Sequence, residues 1–263
     1  KTGRYDWAFA SPAWHDLAFK HVTLRHVHRQ DDPDFVSILN QFREGTVTKE
    51  GASILKKRVA MFPKASVLRL FTHNVQVDKW NGYQLGTLEV PEHTFLAETS
   101  GKPTEVEFLK KNLITPYELK LKHGARAMVT CNLRDPDNAE GMLAANGEIG
   151  TVTDVQEDCI SVRLDNDREI EIKRNVWKFD PSEKGTAQFN QFPLRLAWAA
   201  TIHKSQGLTL DSALIDIRAA REPGQAYVAV SRVKSLSGLM LKDWFAGLWV
   251  SPQAKEFHRS ITR

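Results

Sequence analysis

Apolar residues recur at helical spacing near both ends of the chain and alternate strictly with polar ones in its middle. The pattern predicts a sequence of elements. Ser11 is placed to cap a short helix with Pro12 at its first position, and Trp14, Leu17 and Ala18 give that helix one apolar face. Polarity alternates over residues 22–27, which predicts a short strand. Asp32 and Pro33 then open a second helix. Phe35, Ile38, Leu39 and Phe42 share its buried face, and Gly45 ends it. The run VLRLF at 67–71 predicts a buried strand. Thr72, His73 and Asn74 form a polar turn after it, with Asn74 suited to cap a helix that carries Val77, Trp80 and Leu85. Strand, turn and helix in that order make a βα unit of a parallel sheet. Residues 87–118 are mixed and partly acidic, and are read as connecting structure.

The pattern changes at residue 119. Short alternating runs (ARAMVTC, GEIGTVTDV, CISVRLD, REIEIK) are separated by turn residues at Asp135-Pro136, Asn146-Gly147 and Asp165-Asn166-Asp167. Several short strands with tight turns predict a small β-barrel. Afterwards the α/β pattern resumes. LRLAWAATIH at 194–203 reads as a strand running into a helix start, SALIDI at 212–217 as a strand, GQAYVAVSR at 224–232 as a helix and GLMLK at 238–242 as a last strand. The fold class is therefore α/β, a parallel-sheet domain interrupted by a small β-barrel.

Composition adds limits. With 41% hydrophobic and 26% charged residues, the 263-residue chain can bury a core and is not disordered in bulk. The formal charge of +4 permits a nucleic-acid partner but matters only if the basic excess gathers on one face. Cys131 and Cys159 form no C-x-x-C pair and are read as two buried free thiols of a reducing compartment, in preference to a disulfide across the β-domain. No stretch has the apolar length of a membrane span, and no signal peptide is expected from these residues. The chain begins with Lys1 and is read as cut from something longer. His21, His26 and His28 lie close together but lack zinc spacing, so no metal site is expected. Most of the seven tryptophans are expected in the core, with Trp177 the best candidate for stacking on a base.

The densest chemistry is T-I-H-K-S-Q-G-L-T at 201–209, which gathers hydroxyls, an imidazole, an ammonium and an amide before a glycine. Such a turn suits contacts to phosphates, and equally a polar helix start with a solvated lysine. This segment, with the P-L-R-L-A-W-A that precedes it at 193–199, resembles motif V of superfamily 1B helicases of the Pif/RecD-like group. G-Q-A-Y-V-A-V-S-R at 224–232 resembles their motif VI, and V-H-R-Q at 27–30 their V-F-R-Q segment, with His28 where an aromatic is usual. L-F-T-H-N at 70–74, with Val77 and Asn81, is similar to the motif IV region. G-A-R-A-M-V at 124–129 and N-G-E-I-G-T-V at 146–152 resemble the borders of the group's SH3-like insert. These segments fall in the group's order and cover nearly the whole chain.

The resemblance implies an RecA-like motor domain of the P-loop NTPase fold, the second of two, interrupted by an SH3-like barrel. Residues 1–20 would be the tail of the first motor domain, since Phe9 and Trp14 ahead of the Arg-Gln segment resemble the stretch just after its last motif. Residues 21–118 and 183–263 would form the second motor domain, and 119–182 the insert. The function implied is the C-terminal half of an ATP-dependent DNA helicase moving 5′ to 3′ on single-stranded DNA and unwinding duplexes, as in repair, replication and recombination. Arg232 would be the arginine finger, with Arg29 second, and Gln206 would orient water or contact phosphate. Gln30, Gly207, Gln225 and Tyr227 would line the nucleotide side. Thr72, His73, Asn74, Thr201, His203 and Lys204 would face DNA. ATP and Mg²⁺ would be held mainly by the other motor domain, because no G-x-x-x-x-G-K-[ST] occurs in these residues. The partners implied are single-stranded DNA, its junctions with duplex, and the N-terminal RecA-like domain of the same protein. The expected setting is intracellular (cytoplasm, nucleoid, nucleus or mitochondrion), as a monomer and off the membrane. A non-catalytic single-strand-binding module and an RNA-directed helicase are the alternatives.

Overall fold

The computed structural model describes residues 7–17, 19–20, 22, 29–59, 67–135, 141–180 and 187–261. Most of the strand expected at 22–27, residues Ala18, His21, His26 and His28, and Pro136 of one expected turn lie outside the described residues.

Helix α1 (Pro12–Asp16) begins as expected, with the Ser11 hydroxyl accepting from the Trp14 N–H. Helix α2 (Pro33–Glu44) also obeys its signals. The Asp32 carboxylate accepts from the N–H groups of Asp34 and Phe35, and Gly45 leaves the helix at φ 71°. Its Phe35, Ile38, Leu39 and Phe42 are buried. Helix α3 (Lys49–Lys56) was not expected. Its interior glycine and thin apolar face hide it, and it starts on a Thr48 hydroxyl that accepts from the Gly51 N–H.

Strand β1 (Leu68–Phe71) leads into helix α4 (Asn74–Gly86). The expected cap at Asn74 is not made. The helix begins one residue earlier than such a cap requires, so Asn74 is already helical and His73 occupies the cap position without a side-chain bond. Residues 87–118 hold more than connecting structure: β2 (His93–Leu96), β3 (Glu98–Ser100) and helix α5 (Pro103–Asn112). Then come β4 (Glu118–Leu121), β5 (Arg126–Val129), the short hairpin β6 (Leu133–Arg134) and β7 (Met142–Ala144), β8 (Ile149–Val155), β9 (Ile160–Leu164), β10 (Glu169–Ile172) and β11 (Asn175–Phe179). Strands β12 (Ala187–Gln191), β13 (Leu194–Leu196), β14 (Ala199–Thr201) and β15 (Ala213–Ile215) come next, before helix α6 (Gln225–Val230), β16 (Leu239–Leu241) and helix α7 (Pro252–Ile261).

Two sheets organise the chain. The first is parallel, in the order β14-β1-β15-β16, and fits an RecA-like α/β motor domain. The second is antiparallel, in the order β10-β9-β8-β5-β13. Its five strands stand where the small β-barrel is expected. A three-stranded sheet, β11-β12-β3, is covered by α5 through Val106, Leu109 and Phe189. The β structure thus draws strands from either side of 119–182.

The run 194–203 does reach a helix start, a 3-10 turn at His203–Ser205, but through two strands in different sheets rather than one. Leu194–Leu196 pairs antiparallel with β5, and Ala199–Thr201 pairs parallel with β1. Ala197 packs in the core of the parallel sheet and Trp198 in that of the antiparallel sheet, so the chain steps between the two cores at this dipeptide. Cys131 and Cys159 are free but half-buried rather than buried, just outside strand ends, and burial pushes both thiols up. Among the described residues no helix is long and apolar enough to cross a membrane.

Gly150 lies inside β8 where Leu164 pairs with it. A Cβ there would press on the Arg163 carbonyl and come within 2.7 Å of a Val162 methyl. Gly150→Ala is therefore expected to cost about 1–3 kcal/mol, as overpacking does. Urea denaturation of the two proteins measures this, and an unchanged midpoint would show that β8 and β9 can part without cost.

Candidate functional site

Ligands of open parallel sheets sit beyond the C-terminal ends of the strands. Here β1 and β14 end side by side. Phe71 pairs with Thr201, and the Ile202 N–H donates to the Phe71 carbonyl at 2.8 Å. Thr72, His73 and Asn74 leave one strand and Thr201, His203 and Lys204 leave the other, so these six expected residues come together at one edge. His73, Asn74, His203 and Lys204 are exposed, and Thr72 is partly so. The Thr72 hydroxyl lies 2.7 Å from His73 Nδ1. Thr201 differs from the rest. It is 4% exposed, and its hydroxyl accepts from the Lys204 N–H at 3.2 Å, so it shapes the turn from within. Below it, Ser205 donates its hydroxyl to the Ile202 carbonyl. His203 Nε2 lies 3.3 Å from a Glu222 carboxylate oxygen. Partial burial lowers the Lys204 amine from its ordinary value; the Arg195 cation adds to this and Asp78 opposes it.

A second group forms where the same turn comes to its end. Arg29 Nε donates to the Thr209 hydroxyl and its Nη1 to the Ser231 carbonyl, each at 3.1 Å. Gln30 is buried, and its amide nitrogen donates to the carbonyls of Ser231 and Val233. Arg232 Nε donates to the Val228 carbonyl at 2.9 Å and Nη2 to the Ser231 hydroxyl at 3.0 Å. Neither arginine has a carboxylate partner among the described residues. Burial holds Arg232 below the ordinary guanidinium value, the Arg29 charge adds to this, and Tyr227 opposes it. Two cations held side by side by neutral acceptors make an anion-seeking spot.

Gln206 and Gly207 are exposed on the approach to this spot. Gly207 has φ +84°, with open space where a Cβ would be. Backbone bonds from Leu210 to Arg232 and from Lys234 to Leu210 tie the two segments together. Tyr227 is half-buried one helical turn from Ser231, whereas Gln225 is 7% exposed and largely inside. Thr209 and Ser231 fall inside the segments that resemble motifs V and VI, but neither is singled out there as a site residue. Their part depends on hydrogen bonds to a residue about two hundred positions away, for which a sequence offers no sign. Trp177 is half-buried and packs edge to face against Phe189 at the margin of the small core under α5.

Comparison with known proteins places the chain among relatives. No family model matches it. It is 36% identical over 263 residues to the ATP-dependent DNA helicase Pif1 of Bdellovibrio bacteriovorus, covering 99% of this chain and 58% of that protein. Among solved structures, the Pif1 helicase of Candida albicans matches with a TM-score of 0.75 and 27% identity, over 97% of this chain and 64% of that one. A Bacteroides Pif1 in complex with ADP-AlF3 and single-stranded DNA matches with a TM-score of 0.63 and 31% identity, over 92% and 56%. The chain thus spans little more than half the length of these relatives.

Because Gln30 satisfies two buried carbonyls beside both arginines, Gln30→Ala is expected to destabilise the fold by about 1–3 kcal/mol. Gln30→Glu, which exchanges a donor for an acceptor, should be no better. Equal chemical stability of all three proteins would mean that water replaces the amide freely.

Proposed function

From the homology that joins this chain to the Pif1 helicases of superfamily 1B along nearly its whole length, we propose that it is the C-terminal part of an ATP-dependent DNA helicase. In this reading, 21–118 and 183–263 make the second RecA-like motor domain, 119–182 the SH3-like insert and 1–20 the tail of the first motor domain. The observation that carries the reading is the pair of guanidiniums, Arg29 and Arg232, set without carboxylates beside the Gln206–Thr209 backbone. A γ-phosphoryl group in transfer spreads negative charge over its oxygens, and a positioned guanidinium stabilises that charge. Arg232 is the finger, Arg29 supports it, and Gln206 with Gly207 faces the phosphates or the attacking water. Gln30 and Gln225 act from inside by holding these segments in register, and Tyr227 borders the cleft.

ATP and Mg²⁺ are bound mainly by the upstream P-loop domain. Bound there, Mg²⁺ would supply neutralising charge to the phosphates. Among the described residues here, no cluster of three or more His, Cys, Asp or Glu side chains is arranged to hold a metal. On the other face, His73, Asn74, His203 and Lys204 meet the phosphates of single-stranded DNA, near its junction with duplex, while Thr201 and Thr72 shape the loops. Closing of the two motor domains around ATP would then shift the DNA-facing turn through the seven residues of 201–207. The protein works inside the cell as a monomer, off the membrane, and moves 5′ to 3′. A non-catalytic binding module would have no use for two arginines held without carboxylates at a nucleotide face, which favours the motor. Matched DNA and RNA oligomers distinguish an RNA-directed helicase, since they differ at the 2′-hydroxyl.

The test is ATP hydrolysis with and without single-stranded DNA. The chain alone should show none. Joined to its upstream P-loop domain it should show DNA-stimulated turnover, from which Arg232→Ala removes about 10³-fold or more. Turnover by the chain alone, or full activity of the variant, would sink the proposal.

A further inference from the structure

A cavity of about 450 Å³ opens between α4, α5 and β13, next to the DNA-facing turn. Lys204 of that turn lines it, together with Asp78, Arg195, Lys110, Lys111 and Lys120. Arg195 is the unusual member. It is only 9% exposed, yet its guanidinium makes no hydrogen bond and no ion pair among the described residues. Asp78 is the carboxylate that acts on its charge, and only at a distance. The buried polar atoms left without a partner among the described residues belong to Glu105 and Arg126. Arg195 is not one of them, and it lines the cavity. Burying a cation is costly unless something pairs with it. Lys204 brings a second cation to the same cavity, and after burial the Arg195 charge is what lowers its amine further. Lys111 is exposed and, among the described residues, unpaired, whereas Lys110 and Lys120 are engaged by Glu107 and Glu118.

We infer that this cavity is a phosphate subsite that takes one phosphodiester of the single strand, with Arg195 and Lys204 as its main donors and Lys111 contributing from α5. The subsite carries the DNA path from the ends of β1 and β14 onto the antiparallel part of the molecule, and it rests on the proposed DNA-binding reading. A guanidinium offers two parallel N–H donors to two phosphate oxygens, which an ammonium does not, so Arg195 fixes the orientation of the group and Lys204 adds charge.

The experiment is binding of a fluorescent oligothymidylate to the chain across a salt series. Arg195→Gln should weaken binding roughly tenfold, as losing a charge-assisted bond does. It should also flatten the slope of log affinity against log salt by about 0.7, the share of one phosphate. Arg195→Lys should restore most of the slope and less of the affinity, and Lys111→Gln should give a smaller loss in the same direction. Lys49→Gln, on α3, reports the effect of removing a surface charge anywhere and should leave the slope unchanged. An Arg195→Gln protein that folds, shown by an intact thermal transition, and keeps the wild-type slope overturns this inference alone. So does a slope that falls equally in Lys49→Gln. If Arg195→Gln does not fold, Lys111→Gln decides. Absence of any salt-dependent binding by the wild-type chain overturns the DNA-binding reading as well. Titration with inorganic phosphate separates the strand from a free anion: tighter binding of free phosphate than of the oligonucleotide overturns the assignment.

Discussion

The candidate site hangs from one buried amide. Strand β14 is the edge of the parallel sheet, paired with β1 on one side only among the described residues. On its open side the Asn81 carboxamide plays the part of a further strand. Its nitrogen donates to the Ala199 carbonyl at 3.1 Å, and its oxygen accepts from the Ala199 N–H at 2.8 Å. Asn81 is 6% exposed, so leaving either backbone group unpaired would cost its full desolvation. Helix α4 brings this amide into place because Val77 and Leu85, at helical spacing on either side of it, are buried against the cores. The result is that α4, β1 and β14 form one unit, and the loops leaving β1 and β14 have fixed positions relative to each other.

The two anion-facing groups depend on that unit. The turn after β14 carries His203 and Lys204 on one face and reaches Gln206 and Gly207 within three residues, where the Arg29 and Arg232 pair begins. Arg29 is held by Thr209 and Ser231, Arg232 by Val228 and Ser231, and Gln30 by the carbonyls on either side of Arg232. All of these acceptors are neutral. The arginines are therefore positioned without being neutralised, which is what an arriving phosphate requires. A carboxylate in place of any one of them would have spent the charge that the site keeps available.

Legible and hidden features of the sequence divide along physical lines. Helix α2 is legible because every local signal agrees: Asp32 and Pro33 at the start, four apolar residues on one face and Gly45 at the end. Strands β1, β15 and β16 are legible as short apolar runs, since parallel strands are covered on both sides. Helices α3 and α5 are not, because each buries only two residues and carries charges on the rest of its surface. The division of 194–201 between two sheets is invisible for a different reason. Both strands are apolar, and the partner of an apolar strand is settled by long-range packing rather than by its own residues. The same holds for the site. The segments that resemble helicase motifs give its ingredients in order, but not that Thr201 is buried, nor that Thr209 and Ser231 hold Arg29.

The net charge of +4 acquires meaning only from where charges are paired. In the cavity between the two sheets, of about 360 Å³, the basic residues are matched: Arg126 with Asp165 at 2.7 Å and Lys234 with Asp211 at 2.7 Å. Each pair lies within one part, Arg126–Asp165 in the antiparallel sheet and Asp211–Lys234 beside the parallel one, so both neutralise the lining of that cavity without tying the two parts together. In the cavity beside α4 and α5, Arg195 and Lys204 have no such match among the described residues. Strand β13 explains how a cation came to be buried there. Its Leu194 faces the antiparallel core, and the alternate position, which on a solvated strand would look into water, is covered by neighbouring elements. An apolar residue at 195 would fill that position at no electrostatic cost. An arginine held there without a partner is reasonable only if its charge is kept for something that arrives from outside.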